Sequence, residues 1–362
     1  MPNVTQTKGL PIGVAAAVGS AVLFGASAPL AKWLLAQVSP LMLAGLLYMG
    51  SGLGLALYRF VSGASRPRLV RSEWVWLLAA VLCGGVVAPV LLMWGLSLMP
   101  ASRASLLLNA EAVLTAGLAW LVFKENFDKR IALGMAAIVA GALVLSWPLA
   151  GSQSAAQPLE LVESMWPALA VVAACFFWAL DNNFTRKVAL ADASWIACVK
   201  GVVAGATNLS LAFVLGAALP DIARLSLALV VGFFAYGISL TLFVLALRHL
   251  GTARAGAYFS TAPFVGAAMS VVFLGDAVTW PLLAAALLMG VGIWLHLSEN
   301  HVHSHQHAWL LHEHEHSHPA LDAHHVHAHR PTFSGKHTHE HQHEPLKHTH
   351  SHFPDAHHRH EH

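Results

Sequence analysis

The sequence predicts an all-α integral membrane protein: ten transmembrane helices forming two inverted five-helix repeats, followed by a disordered tail. Three observations carry that prediction. Apolar runs long enough to cross a bilayer recur through the first 298 positions, one stretch of the chain is written twice, and histidine crowds into the last 62 residues.

Composition sets the class. Hydrophobic residues make up 56% of the chain and charged residues 10%. Mean hydropathy is +0.60 even though the carboxyl end is very polar, so the remainder is more apolar still. A spanning helix needs about 20 mostly apolar residues to cross roughly 30 Å of hydrocarbon. Ten such stretches can be marked, at 12–36, 41–61, 74–98, 101–123, 131–149, 165–190, 194–216, 226–249, 253–274 and 279–297. These runs are far longer than the strand of a membrane barrel, which takes about ten residues. Short turns such as Gln37-Val38-Ser39-Pro40 and Met99-Pro100 force neighbouring spans into antiparallel hairpins. No cleavable signal peptide is expected, because only Lys8 precedes the first span and that span belongs to the repeat.

The repeat comes next, since a missed repeat mis-assigns a whole fold. Sliding the chain by 151 positions lays Leu250–Asp276 under Met99–Glu125, with Arg103 over Arg254 and Glu125 over Asp276. At an offset of 154, Phe24–Lys32 is echoed by Trp178–Arg186. The chain therefore divides into a first repeat at 1–149, a linker at 150–164, a second repeat at 165–298 and a tail at 299–362. Five spans per half is an odd number, so the second half enters the membrane from the opposite side. Inverted repeats of this kind build secondary transporters, whose site lies near mid-depth at the repeat interface.

The doubled stretch, SLLLNAEAVLTAGLAWLVFKE and its echo, resembles the EamA module of the drug/metabolite transporter superfamily, in which a five-helix unit is duplicated. The resemblance implies a transporter but not its cargo, because the superfamily carries amino acids, sugars, drugs, nucleotides and metals. Members commonly have Glu-Pro in this span. Here the first copy has Glu111-Ala112 and the second Ala262-Pro263, so a proline kink is expected only in the second half.

Basic residues set the orientation. Arg59, Arg66, Arg68 and Arg71 lie between spans two and three, Lys124, Lys129 and Arg130 between four and five, and Arg186 and Lys187 between six and seven. The 150–164 linker has none and carries Glu160 and Glu163. Positive loops stay inside, which predicts an inner-membrane, multi-pass protein with both termini cytoplasmic and that linker outside. Gly13, Gly19 and Gly25, Gly50, Gly52 and Gly54, and Gly134 and Gly141 are expected to let helix backbones approach closely. Cys83, Cys175 and Cys198 have no paired spacing and read as small apolar residues within spans.

An ionisable side chain at mid-membrane costs at least about 2.5 to 3.5 kcal/mol and is by default a functional candidate. Glu111 lies about 15 Å into the fourth span at 1.5 Å per residue, with Asn109 two positions before it. A lone carboxylate there can exchange a proton or cation; the plain alternative is a structural hydrogen bond. Asp181, Asn182 and Asn183 form a polar patch in span six, either lining the path or marking a helix end. Lys200 and Asn208 are eight apart and share a helical face; Lys200 can pair with Asp181 or reach the interface. His249 and His296 sit at span ends, as do Trp33, Trp74, Trp76, Trp147, Trp166, Trp195 and Trp280, while Trp94, Trp120 and Trp178 fall deeper.

From residue 301 the composition changes, and 23 of the 25 histidines follow. His-x-His pairs recur as His301, His303, His305 and His307, as His312, His314, His316 and His318, and as His337, His339, His341 and His343. Neutral imidazole suits divalent transition metals, and the lack of Cys or Met in the tail speaks against Cu(I). With little to bury, the tail is expected to be disordered and to bind nickel, cobalt or zinc at multiple sites. No prosthetic group is expected. The leading expectation is a proton-coupled exporter of a divalent metal, nickel or cobalt first, with Glu111 exchanging the proton, Asn109 and Asp181 assisting and the tail capturing metal. A few superfamily members with histidine-rich carboxyl ends look similar and are linked to nickel and cobalt resistance. The alternatives are an exporter of an amino acid or other small metabolite with a metal-buffering tail, and a membrane-anchored metal-binding protein. The expected partners are lipid and metal ions, with a homodimer allowed. No nucleic-acid partner and no enzymatic activity are expected, since no phosphate loop, nucleophile motif or protease signature is present.

Overall fold

The computed structural model describes residues 12–64, 71–123, 129–146, 158–185, 188, 192–250 and 252–297, and in the tail 302–306, 310–316, 337–343 and 347–351. It comprises a helical unit within Met1–Glu299 and a tail unit, Asn300–His362.

The first half of the helical unit contains α1 (Ile12–Gly25), α2 (Ser27–Leu34), α3 (Pro40–Val61), α4 (Arg71–Ala80), a π-helical segment (Val81–Val87), α5 (Ala88–Leu98), α6 (Ala101–Leu107), α7 (Ala110–Phe123) and α8 (Lys129–Ser146). The second half contains α9 (Pro158–Thr185), α10 (Ala193–Val214), α11 (Ile222–Gly232), a second π-helical segment (Phe233–Ile238), α12 (Ser239–Leu250), α13 (Thr252–Phe259), α14 (Ala262–Leu274) and α15 (Trp280–Leu297). Among the described residues of this unit there is no strand. Among the described residues, six helical stretches are long and apolar enough to cross a membrane: Ile12–Leu34, Pro40–Val61, Glu73–Leu98, Met165–Thr185, Ser194–Val214 and Ile222–Ala246. The other four expected spans differ for two reasons. The fourth and ninth are broken into half-helices, and the described apolar parts of the fifth and tenth, Ala132–Ser146 and Trp280–Leu295, are shorter.

Helix starts follow local chemistry. Ser39 is extended and Pro40 opens α3, where its missing N–H costs nothing. Asp192 caps α10, accepting from the Trp195 N–H at 2.9 Å and from Arg59 of α3 at 2.7 Å. Asp221 caps α11 by accepting from the Ala223 and Arg224 N–H groups. Gly275, at φ +71°, closes α14 in the left-handed conformation that glycine tolerates best.

The breaks in spans four and nine are the same device. Asn109 donates its side-chain amide to the Leu106 carbonyl at 2.9 Å, and its N–H reaches the same oxygen at 3.1 Å. In the second half, Thr261 donates its hydroxyl to the Tyr258 carbonyl at 2.6 Å and its N–H at 3.1 Å. The expectation of a kink in the proline-bearing half alone is thereby corrected. The turn is held by a side chain capping the carbonyl three residues back, and Pro263 only accompanies it. The π segments also fall at corresponding places, in the third helix of each half.

Packing joins the halves. α3 lies along α10, α8 along α15, α6 against α14, α1 against α12 and α5 against α9. The seams are backbone-close: a Cβ on Gly201 would stand 2.6 Å from the Gly52 Cα, and one on Gly232 2.0 Å from the Leu47 carbonyl oxygen. Close approach over small residues is how membrane helices gain dispersion contact without a hydrophobic drive. Large apolar side chains face outward, Trp280 at 81% exposure among them, and Trp33, Trp74 and Trp166 are also exposed.

The described residues of the tail unit form two strand pairs. β1 (Val302–Gln306) pairs antiparallel with β4 (Lys347–Ser351), and β2 (Leu310–His316) with β3 (His337–His343). His-x-His alternation has a period of two, which is the period of a strand.

Candidate functional site

Three helix discontinuities converge on one small pocket. Pro29 has no N–H, so the Gly25 carbonyl is released by the α1–α2 segment. A Cβ on Gly266 of α14 would sit 2.7 Å from that carbonyl oxygen and 2.8 Å from the Ser105 hydroxyl of α6. The pocket is lined by Phe24, Gly25, Ala28, Ser105, Leu108 and Pro263, with Ala262. The Ser105 hydroxyl is buried there without a hydrogen-bond partner.

An aromatic row leads away from the pocket. The Phe24 ring lies 5.9 Å from Tyr236, and Tyr236 5.6 Å from Tyr48. The Tyr48 hydroxyl donates to the Gly84 carbonyl at 2.6 Å, and the Trp178 indole N–H to the same oxygen at 3.0 Å. The first π segment supplies this acceptor. Its wider turn sends the Ala88 N–H to the Cys83 carbonyl, which leaves Gly84 unclaimed by its own helix. Pro89 likewise leaves the Gly85 carbonyl free, and Asn208 of α10 donates to it at 3.2 Å. The Asn208 side-chain oxygen is buried and has no partner. π segments are frequent at functional sites because they expose backbone groups in this way.

Beside the same glycine lies a buried ion pair. Lys200 donates to both Asp181 oxygens, at 2.6 and 2.5 Å, and Thr185 donates to Asp181 at 2.9 Å. Only glycine fits at position 84, since a Cβ would come within 1.9 Å of the Asp181 Oδ2. Glu111 stands one step further along, accepting from the Asn182 amide at 2.8 Å, and that amide also reaches the Thr115 hydroxyl at 3.3 Å. Asp181 and Lys200 both lie within electrostatic reach of Glu111.

The path residues singled out in the sequence separate into two groups. Asp181, Lys200, Asn208 and Glu111 gather around the first π segment and α9. Asn109 does not join them: its amide holds the helix break and touches the Met289 sulfur at 3.6 Å. Tyr48, Tyr236 and the π segment escaped sequence reasoning, although Gly84-Gly85 inside an apolar span was the available signal. Trp178 lies in the site, while Trp94 is exposed at the surface and the Trp120 side chain lies outside the described residues. His249 is exposed. Within the helical unit, no group of three or more His, Cys, Asp or Glu among the described residues is placed to hold a metal ion. Of the tail histidines, His303, His305, His312, His314, His316, His337, His339, His341 and His343 fall on strands, and His301, His307 and His318 lie outside the described residues.

Comparison with known proteins bears on the family and the fold. An uncharacterized transporter of Methanothermobacter thermautotrophicus is 28% identical over 279 residues, covering 73% of this chain and 80% of the relative. A probable amino-acid metabolite efflux pump of Salmonella typhimurium is 27% identical over 215 residues, covering 55% of this chain and 68% of the relative. A solved crystal structure with 18% identity superposes with a TM-score of 0.58 over 78% of this chain and 95% of that one, a likeness of fold. The model of the EamA-like transporter family matches twice, at residues 11–147 and 165–298. Two matched copies, spanning helices and broken helices meeting at a pocket lead to one conclusion: the chain belongs to the EamA-like transporter family and is a multi-pass membrane transporter.

Proposed function

We propose that this transporter is a secondary active exporter of a small zwitterionic metabolite of the amino-acid class, coupled to protons through Glu111. The observation that carries the reading is the Lys200–Asp181 pair beside Gly84, reached by an aromatic row from the pocket at the helix breaks. One fixed cation and one fixed anion match the ammonium and carboxylate of a zwitterion, and each can trade its intramolecular partner for the substrate's. Glu111, held by an exposed Asn182 amide rather than by a cation, is the group free to take a proton. The name of the Salmonella relative supports this cargo class.

The proposal includes ten spans in two inverted repeats. It is supported by the recurrence of the broken helix and of the π segment, and by the pairing of helices. Exchange of the halves maps α3–α10 and α8–α15 onto themselves and α1–α12 onto α5–α9, as a two-fold axis requires. Loop basic residues support an inner membrane location with both termini cytoplasmic.

Export of nickel or cobalt is the second reading, favoured by 23 histidines after residue 300. The absence of a ligand cluster among the described residues of the helical unit ranks it lower. Everted membrane vesicles under an imposed proton gradient separate the two. Labelled amino acids accumulate and nickel does not if the metabolite reading is right, in the intact chain and in one stopped at Glu299. Proton-dependent nickel accumulation, weakened by that truncation, reverses the ranking.

A further inference from the structure

The described strands of the tail have a definite register. In the inner pair, His312 stands opposite His341, His314 opposite His339 and His316 opposite His337. In the outer pair, His303 stands opposite His350 and His305 opposite His348. Both pairs share one register, as Val302 with Ser351 and Leu310 with His343 show, and β2 with β3 is the longer of the two antiparallel pairs.

We propose that this strand pair is a metal site in which cross-strand histidine pairs of β2 and β3 chelate a divalent ion such as zinc or nickel, and that the metal closes the ribbon. Directly opposed positions hold their Cβ atoms about 4.5 to 5.5 Å apart, with diagonal neighbours at about 7 to 8 Å. Two adjacent pairs, His312–His341 and His314–His339, therefore place four imidazole-bearing positions on one face of the ribbon. Metal–nitrogen bonds of about 2.0 to 2.1 Å are compatible with that spacing, and zinc takes four ligands.

The ribbon also needs such a ligand. A lone two-stranded hairpin is marginal in water, and here Glu313 faces Glu340 across the strands, a like-charge opposition that destabilises pairing. A site that exists only in the paired state converts binding free energy into folding free energy. The reverse face, carrying Glu313 and Glu315 opposite Glu340 and Thr338, has no histidine in this stretch. The ladder is thus one-sided, and the site stands whichever cargo crosses the membrane.

The test uses the full chain in detergent with Cys83→Ser, Cys175→Ser and Cys198→Ser. Zinc binding is titrated in two variants that each lose four histidines. One carries His312→Gln, His314→Gln, His339→Gln and His341→Gln; the other carries the same change at His324, His325, His327 and His329. In parallel, spin labels on Glu315→Cys and Thr338→Cys report strand pairing. The ladder variant should weaken the tightest zinc site by about tenfold or more while the number-matched variant leaves it unchanged, and zinc should draw the labels to a single short separation. Equal weakening in both variants, or zinc binding that leaves the labels far apart, overturns the proposal.

Discussion

Replacing Lys200 by methionine leaves Asp181 as a buried carboxylate without its cation. The side chains of Lys200 and Asp181 are only 17% and 7% exposed, so the value for surface pairs, about 0 to 1 kcal/mol, does not govern here. Breaking a buried pair from one side costs about 3 to 5 kcal/mol, whereas replacing both partners by neutral groups of similar size is often close to neutral. The Thr185 hydroxyl remains on Asp181 at 2.9 Å and recovers part of the loss. The expected cost of Lys200→Met is therefore near the lower end, about 3 kcal/mol. The double variant Lys200→Met/Asp181→Asn should fall within about 1 kcal/mol of the parent, because no uncompensated charge remains. Both are measured by unfolding in mixed micelles with rising sodium dodecyl sulfate, followed by tryptophan fluorescence. If Lys200→Met costs under about 1 kcal/mol, or the double variant costs as much as the single, the pair is not acting as a buried ion pair and the reasoning fails.

Three further outcomes follow from particular contacts. Gly84→Ala should destabilise by about 1 to 3 kcal/mol through overpacking and impair transport, since its Cβ would meet the Asp181 carboxylate at 1.9 Å; parent stability and transport in that variant would contradict the placement. Asn109→Ala should cost about 1 kcal/mol by leaving the Leu106 carbonyl without its side-chain donor, read in the same unfolding assay. Asp192 lies outside the spanning segments. Burial works against its carboxylate, but the Ser194 hydroxyl, the Trp195 N–H and Arg59 outweigh that and hold its pKa below the ordinary 3.8. A lowered folded value means that this cap stabilises fully above about pH 4 and is lost as the pH falls through the folded pKa. Asp192→Asn should therefore flatten the acid limb of a stability-versus-pH curve.

How much of this was legible in the sequence depends on the range of the interaction. The repeat of Arg103 at Arg254 and of Glu125 at Asp276 pointed to two equivalent halves, because repetition is a one-dimensional property. The Lys200–Asp181 contact was available as one of two alternatives, and only the packing of α10 on the α9 side of the π segment selects it. The π segments were not legible, since a shift from four-residue to five-residue hydrogen bonding depends on which distant donors claim the freed carbonyls. Tyr48, Trp178 and Asn208 are those donors, and they come from three other helices. The break at Asn109 was hidden by attention to proline, although Asn109 itself had been marked for another role. In the tail, alternation was visible, but the pairing of His312 with His341 closes across a long intervening segment and leaves no local mark.

The central claim is that Glu111 couples proton movement to a substrate path running past Lys200 and Asp181. Proteoliposomes containing the parent chain or Glu111→Gln test it most directly, by measuring gradient-driven amino-acid accumulation and substrate counterflow side by side. Glutamine keeps an acceptor for the Asn182 amide, so the site stays assembled. The account predicts that Glu111→Gln retains counterflow and loses accumulation against a gradient. Accumulation that persists in Glu111→Gln would contradict it.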